Sequence, residues 1–185
     1  LVSSSAASDV YKRQAEEAAS RGASVTLITG PVHLSTPKQV YRKDVVSAEE
    51  MKNAILHYFD DSDVLIMAAA VADYKPKVVS DEKIKKKNAE LRLELVKTDD
   101  ILKEIVKNKK QQFVVGFALE TNNEQENAKQ KLVHKNLDAI VLNSLNDTGA
   151  GFGHDTNKVT IITANEEKTY TPVSYTHLTL PTTRL

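Results

Sequence analysis

The stretch that most constrains the fold is residues 63–87, DVLIMAAAVADYKPKVVSDEKIKKK. Val64, Leu65, Ile66 and Met67 are apolar without alternation, which predicts a strand buried on both faces of a parallel sheet. Ala68, Ala69 and Ala70 follow, with side chains small enough to let a ligand touch the backbone. Asp73 and Tyr74 then place an acid and a phenol at the carboxyl end of that strand, the edge where open α/β sheets bind ligands. Beyond them come Lys75, Lys77, Lys83, Lys85, Lys86 and Lys87, with Pro76 the one strong breaker. A dry strand, a small-residue floor, one acid and a cationic loop suit a polyphosphate site with a lid. A core strand followed by a solvated charge run fits the same letters.

On both sides of this stretch, strand patterns alternate with helical ones. Residues 15–21 are rich in Ala and Glu and read as a helix that Gly22 ends. Val25, Leu27 and Ile28 form a short strand stopped by Gly30-Pro31, and residues 40–46 form a second, more polar one. Ser47-Ala48-Glu49-Glu50 has the form of a capping box. The helix it opens carries Met51, Ala54, Ile55 and Tyr58 at helical spacing. Leu91, Leu93 and Leu95 alternate with Arg92 and Glu94, a half-exposed strand. Thr98 or Asp99 is placed to cap a helix with the buried stripe Ile101, Leu102, Ile105 and Val106. Residues 113–118 read as a buried strand, 124–134 as a polar helix and 138–142 as another strand. After a long Gly- and Asn-rich loop over 143–157, residues 158–163 and 168–170 read as a terminal hairpin. The alternation predicts an α/β domain around a mainly parallel sheet.

At 185 residues the chain is long enough for one domain with a proper core. Lys plus Arg and Asp plus Glu both number 25, so an overall basic nucleic-acid surface is excluded and any cationic site is local. There is no Cys, which excludes disulfides, thiolate metal sites and a cysteine nucleophile and agrees with the cytoplasm. No apolar run approaches the roughly 20 residues of a membrane span, so no membrane partner is expected. Residues 1–14 and 173–185 have no periodicity that continues into the neighbouring elements and resemble translated sequencing-adapter sequence. They are set apart as flanks foreign to the domain, which is assigned to residues 15–172 and expected to lack sequence on both sides.

Lys131 and Lys135 stand four apart, so both ammoniums project from one helix face. That suits a triphosphate, and equally an ordinary solvated face with Glu124 and Glu126 nearby. Gly149-Ala150-Gly151-Phe152-Gly153 is rejected as a dinucleotide fingerprint because a strand, not a helix, follows it. The His residues are scattered, with no HExxH spacing, and there is neither a GxSxG nor a Walker loop.

Three stretches in order resemble phosphopantothenate–cysteine ligase, also called phosphopantothenoylcysteine synthetase, the carboxy-terminal half of many bacterial bifunctional coenzyme A biosynthesis proteins. They are AAVADY at 69–74 with EKIKK at 82–86, then VVGFALETNN at 114–123, then KLVHKNLD at 131–138. The likeness runs from about Ala15 to Tyr170 and includes SVTLITGPV and the GFG-x-D-x-N stretch at 151–157. The resemblance implies a Rossmann-like three-layer α/β domain with a mainly parallel sheet and a terminal β-hairpin. It implies a ligase that joins 4'-phosphopantothenate and L-cysteine with CTP, through an acyl-cytidylate, with magnesium as cofactor. The family's nucleotide contacts fall here on Asp73, Lys83, Asp99, Asp100, Ile101, Leu102, Phe117, Lys131 and Lys135. Substrate contacts fall on Ala69 and Ala70, and the catalytic role on Lys83. A cytoplasmic homodimer is implied, in some members fused to a flavin-dependent decarboxylase domain.

The family's first strand and its Gly/Ser-rich loop have no counterpart in residues 1–14, and the last family helix is also missing. The 185-residue chain is therefore expected to release no pyrophosphate by itself. A non-catalytic nucleotide-binding module of the same fold remains the alternative. A dinucleotide-dependent oxidoreductase is disfavoured by the absence of fingerprint glycines after any strand.

Overall fold

A computed structural model describes residues 5–69, 71–78, 82, 92–120, 122–144 and 156–174. Its elements in chain order begin with α1 (Ser5–Ser20), β1 (Val25–Thr29), β2 (Val40–Asp44), α2 (Ala48–Phe59) and β3 (Val64–Met67). Then come β4 (Tyr74–Pro76), β5 (Leu95–Lys97), α3 (Ile101–Ile105) with a 3-10 turn at Val106–Asn108, and β6 (Phe113–Glu120). The chain continues through α4 (Glu124–His134), β7 (Ala139–Ser144), β8 (Thr156–Thr163) and β9 (Glu167–Ser174).

The main sheet has five strands in the order β3-β6-β7-β8-β9. Strands β3, β6 and β7 are parallel, and α4 makes the crossover from β6 to β7. Strands β8 and β9 close the sheet as an antiparallel hairpin. A parallel pair, β1 and β2, and a short antiparallel pair, β4 and β5, stand beside it. Helices cover both faces, so the domain is the Rossmann-like α/β type that the alternation and the family resemblance predict.

The strand period of two sorts residues between the layers. On one face, Val114, Ala118, Ile140, Leu142 and Ile162 pack with Met51, Ile55 and Phe59 of α2, Ile101, Leu102 and Ile105 of α3, and Ala128 and Leu132 of α4. On the other, Val115, Ala139, Val141 and Val159 form a second cluster with Phe117, Ile161 and Tyr170. Helix α1 lies on that second side, where Ala15 and Ala19 pack on Val25, Leu27 and Val40. Buried Gln112 joins the layers: its amide donates to Phe59 O at 3.2 Å, and its oxygen accepts from the Lys110 N–H at 2.7 Å.

Helix ends follow local chemistry. Gly22, at φ 91°, turns the chain out of α1 in the left-handed region that favours glycine. Ser47 Oγ accepts from the Glu50 N–H at 3.1 Å, and Glu50 reaches back to the Val46 N–H at 2.9 Å, one residue beyond the usual reciprocal bond.

Several expectations need correction. Helix α1 begins at Ser5 rather than Ala15, and β9 runs to Ser174, so both elements cross the compositional boundaries at 14 and 172. Asp100, not Thr98 or Asp99, caps α3. Of the strand predicted over 91–95, Leu91 lies outside the described residues and 92–94 are not strand; β5 is Leu95–Lys97, paired with Tyr74–Pro76, and Leu93 and Leu95 are exposed. Strand β3 is not buried on both faces. Leu65 and Met67 pack toward the helices, while Val64 and Ile66 are 47 % and 43 % exposed on the far side. The reason is position: among the described residues β3 pairs only with β6, and β1 pairs only with β2.

Candidate functional site

Helix α4 is polar apart from the buried residues Ala128 and Leu132, which hold it against the sheet, and the exposed Val133. Side chains on a helix tilt toward its amino terminus, so Lys131 leans toward the carboxyl edge of the parallel strands, while Lys135 caps the helix at its other end. Each meets a carboxylate. Lys131 Nζ donates to Glu120 Oε1 at the end of β6, in an ion pair. Lys135 Nζ lies 2.9 Å from Asp100 Oδ2 at the start of α3.

Both carboxylates are held by further bonds. Glu120 Oε2 accepts from Asn127 Nδ2 at 3.1 Å, and the same amide donates to Asn122 O at 2.9 Å. Its hydrogen bond from Lys131 keeps the Glu120 carboxyl below the ordinary glutamate value, against the opposing effect of burial. Asp100 Oδ1 accepts from the Lys103 N–H at 3.1 Å as the α3 cap. Burial pushes the Asp100 carboxyl upward, but bonds from Lys135 and the Lys103 N–H outweigh it and leave the carboxyl below its usual range.

Neighbouring residues complete the edge. The Thr98 N–H donates to Asp73 O at 2.8 Å, which brings Asp73 beside the start of α3. Asp99 is exposed and receives Lys52 Nζ from α2 at 3.4 Å. Ile101 and Leu102 are buried in the core, so they offer a ligand their backbone rather than their side chains. Ala69 is exposed just beyond β3, while Ala70 and Lys83 lie outside the described residues.

Phe117 stands apart from this group. Strand alternation turns it to the opposite face from Gly116 and Ala118, where the ring of Tyr11 meets it edge-on at 6.3 Å. Asp73, Asp99, Asp100, Lys131 and Lys135 are thus gathered along one edge, with Phe117 across the sheet from the lysines.

Sequence reasoning missed Glu120, Asn127, Lys52 and Tyr11. Glu120 precedes Lys131 by 11 residues, a separation that no helical or strand spacing rule singles out; the crossover from β6 to α4 closes it. Tyr11 lies in the segment set apart as a flank. Asn143, level with Leu119 in the sheet, has a buried Oδ1 with no hydrogen-bond partner. Among the described residues no three His, Asp or Glu side chains gather as metal ligands, and no helix is long and apolar enough to cross a membrane.

Two ammoniums one helical turn apart at a sheet's carboxyl edge can each turn unused N–H donors toward an anion. Residues 12–178 match the family described as the DNA/pantothenate metabolism flavoprotein C-terminal domain. The chain belongs to this family.

Its relatives agree. The chain is 48 % identical over 160 residues to the coenzyme A biosynthesis bifunctional protein CoaBC of Bacillus subtilis, covering 86 % of the chain and 39 % of that protein. It is 53 % identical over 150 residues to a cysteine/cysteine sulfinic acid decarboxylase of an unknown prokaryotic organism, covering 80 % of the chain and 42 % of the relative. The chain therefore spans about two fifths of the length of these curated relatives. The crystal structure of the C-terminal domain of a CoaBC protein superposes with a TM-score of 0.75 at 36 % identity, over 91 % of this chain and 77 % of that one. This is the ligase-domain family that the three motifs resemble, and the matched region holds every candidate residue along the edge.

Proposed function

We propose that the chain belongs to the ligase domain that joins 4'-phosphopantothenate to L-cysteine in coenzyme A biosynthesis, with CTP as co-substrate, and that the reaction is the longer protein's, the 185-residue chain releasing no pyrophosphate by itself. A carboxylate oxygen of phosphopantothenate attacks the α-phosphorus of CTP; the α–β bond breaks and pyrophosphate leaves. The amine of cysteine then attacks the acyl carbon of the acyl-cytidylate. A C–N bond forms, the bond to the phosphate oxygen breaks, CMP leaves, and the amine gives up a proton to solvent.

The observation that carries this reading is the pair Lys131 and Lys135, poised on carboxylates at the edge of a sheet in a chain of this family. Their ammoniums hold the nucleotide phosphates and offset charge that develops at phosphorus. Asp73 hydrogen bonds ribose or base, and the backbone over residues 99–102 meets a phosphate or carbonyl oxygen. Ala69 and Ala70 form the floor on which phosphopantothenate lies. Lys83 is assigned the catalytic contact, on a segment that closes over the phosphates and excludes water from the mixed anhydride. Phe117 contacts the nucleotide only where the ligand reaches round the end of β6. Magnesium, which the family resemblance implies, would offset charge on the nucleotide phosphates, and since no three His, Asp or Glu side chains gather among the described residues it would come with the nucleotide. The bifunctional and decarboxylase names of the relatives support fusion to a flavin-dependent decarboxylase domain in the longer protein, which is read as a cytoplasmic homodimer.

Calorimetry with CTP and CMP tests the site. Replacing Lys131 or Lys135 by Ala is expected to weaken CTP binding by about 1–3 kcal/mol each, the scale of a hydrogen bond to a charged group. The loss should be smaller for CMP, which lacks the β and γ phosphates. Equal losses for the two nucleotides, or none, would sink the polyphosphate reading.

A further inference from the structure

We propose that Glu120 is an internal counter-anion of the nucleotide site: it holds Lys131 in the empty chain, gives it up to a phosphate group, and thereby weakens retention of both nucleotide and pyrophosphate. The inference rests on the reading of Lys131 as a phosphate contact.

The asymmetry of the pair carries it. The Glu120 side chain is 14 % exposed and the Lys131 side chain 44 %. The carboxylate is fixed at the end of β6 and keeps a second partner, Asn127 Nδ2 at 3.1 Å, when Lys131 moves away. The cation sits on a long flexible stem with solvent on one side. A surface pair such as Lys110 with Asp60, at 69 % and 65 % exposure, has no such fixed end. The Lys135 pair shares only the second partner: Asp100 keeps the Lys103 N–H through its capping oxygen, but its side chain is 39 % exposed against 33 % for Lys135, so the asymmetry belongs to Glu120 and Lys131.

Two costs follow for an incoming phosphate. It must replace the Glu120 contact of Lys131, and it then lies close to a carboxylate that stays charged and in place. Both costs act on any polyphosphate, so they fall on the departing pyrophosphate as much as on CTP. A site with the lysines alone would hold its first product more tightly.

Glu120→Gln removes the charge while keeping an acceptor for Asn127. Binding of CTP and of inorganic pyrophosphate to the chain, followed by calorimetry, should tighten about two- to fivefold, the scale of one partly exposed charge pair. Glu120→Asp keeps the charge on a shorter stem and should gain less than half that factor, which keeps the test open if the glutamine variant folds poorly. In a Lys131→Gln background, Glu120→Gln should bring a clearly smaller gain, because only the repulsion between carboxylate and phosphate is then relieved. Unchanged or weaker binding by both Glu120 variants, with Lys131→Gln still weakening CTP, would overturn the counter-anion role and leave the nucleotide reading intact. Unchanged CTP binding in Lys131→Gln would overturn both.

Discussion

Glu120 and Asp100 couple the site to stability through proton binding. Each carboxyl titrates below its ordinary value in the folded chain because an ammonium and a second donor hold its charged form. A group with a lowered folded value stabilises the fold fully above its unfolded value, near pH 4, and loses that contribution as pH falls through the folded one. The wild-type melting temperature is therefore expected to fall more steeply than that of Glu120→Gln between about pH 4.5 and pH 2, and the two curves should converge in acid. Parallel curves across that range would mean that the Lys131 pair contributes nothing to folding in solution. Gly116 shows the opposite dependence on size alone. A β-carbon there would stand 2.7 Å from Leu137 Cδ1, too close for Leu137 to keep its place, and 3.6 Å from Leu102 Cδ2, an ordinary contact, so the glycine makes room for Leu137.

The element that depends most on its neighbours is α3. Five residues are too few for an isolated helix to persist in water, since nucleation costs more than one turn of hydrogen bonds returns. It persists because Ile101, Leu102 and Ile105 are all buried and Asp100 satisfies the Lys103 N–H. Ile105 is fully buried, so Ile105→Ala should cost about 2–5 kcal/mol in denaturant unfolding through lost transfer energy and the cavity left behind. Because α3 carries Asp100, the same change should also loosen the Lys135 contact and weaken CTP binding. A stability loss below 1 kcal/mol would show that the core refills the site. Helix α4 is held against the sheet by Ala128 and Leu132, and the Lys131 and Lys135 ion pairs tie its carboxyl-terminal end to β6 and to the α3 cap.

At the scale of the whole molecule, burial is uneven across the sheet. Strands β6, β7 and β8 lie between the two apolar clusters, whereas β3 stands at one end with Val64 and Ile66 open to solvent. Ile140 is 1 % exposed and Ile66 43 %. Ile140→Ala is therefore expected to destabilise the chain by about 2–5 kcal/mol, and Ile66→Ala by less than about 1 kcal/mol. Similar costs at both positions, measured by urea unfolding, would place Ile66 in a covered core strand after all. Low cost at Ile66 would mark β3 as the end of the folded sheet. Lys131, Lys135 and Glu120 are mounted on the β6–α4–β7 unit, whose strands lie at the well-buried part of this gradient.

What the sequence determined by itself is what neighbouring residues decide among themselves. The capping pattern at 47–50, the αL glycine at 22, the helix over 124–134 and the apolar runs that become β6 and β7 all rest on hydrogen bonds and periodicities spanning a few positions. The ordered motifs likewise pointed to the family without any tertiary information. Tertiary structure decided which face and which partner each residue received. The run 64–67 reads as doubly buried, yet it stands at the sheet's end, because burial depends on strands distant in sequence. Phe117 was grouped with the lysines by motif, yet strand alternation sends its ring to the opposite face. The pairing of Glu120 with Lys131 leaves no local mark, because it exists only after the crossover from β6 folds α4 back along the strand.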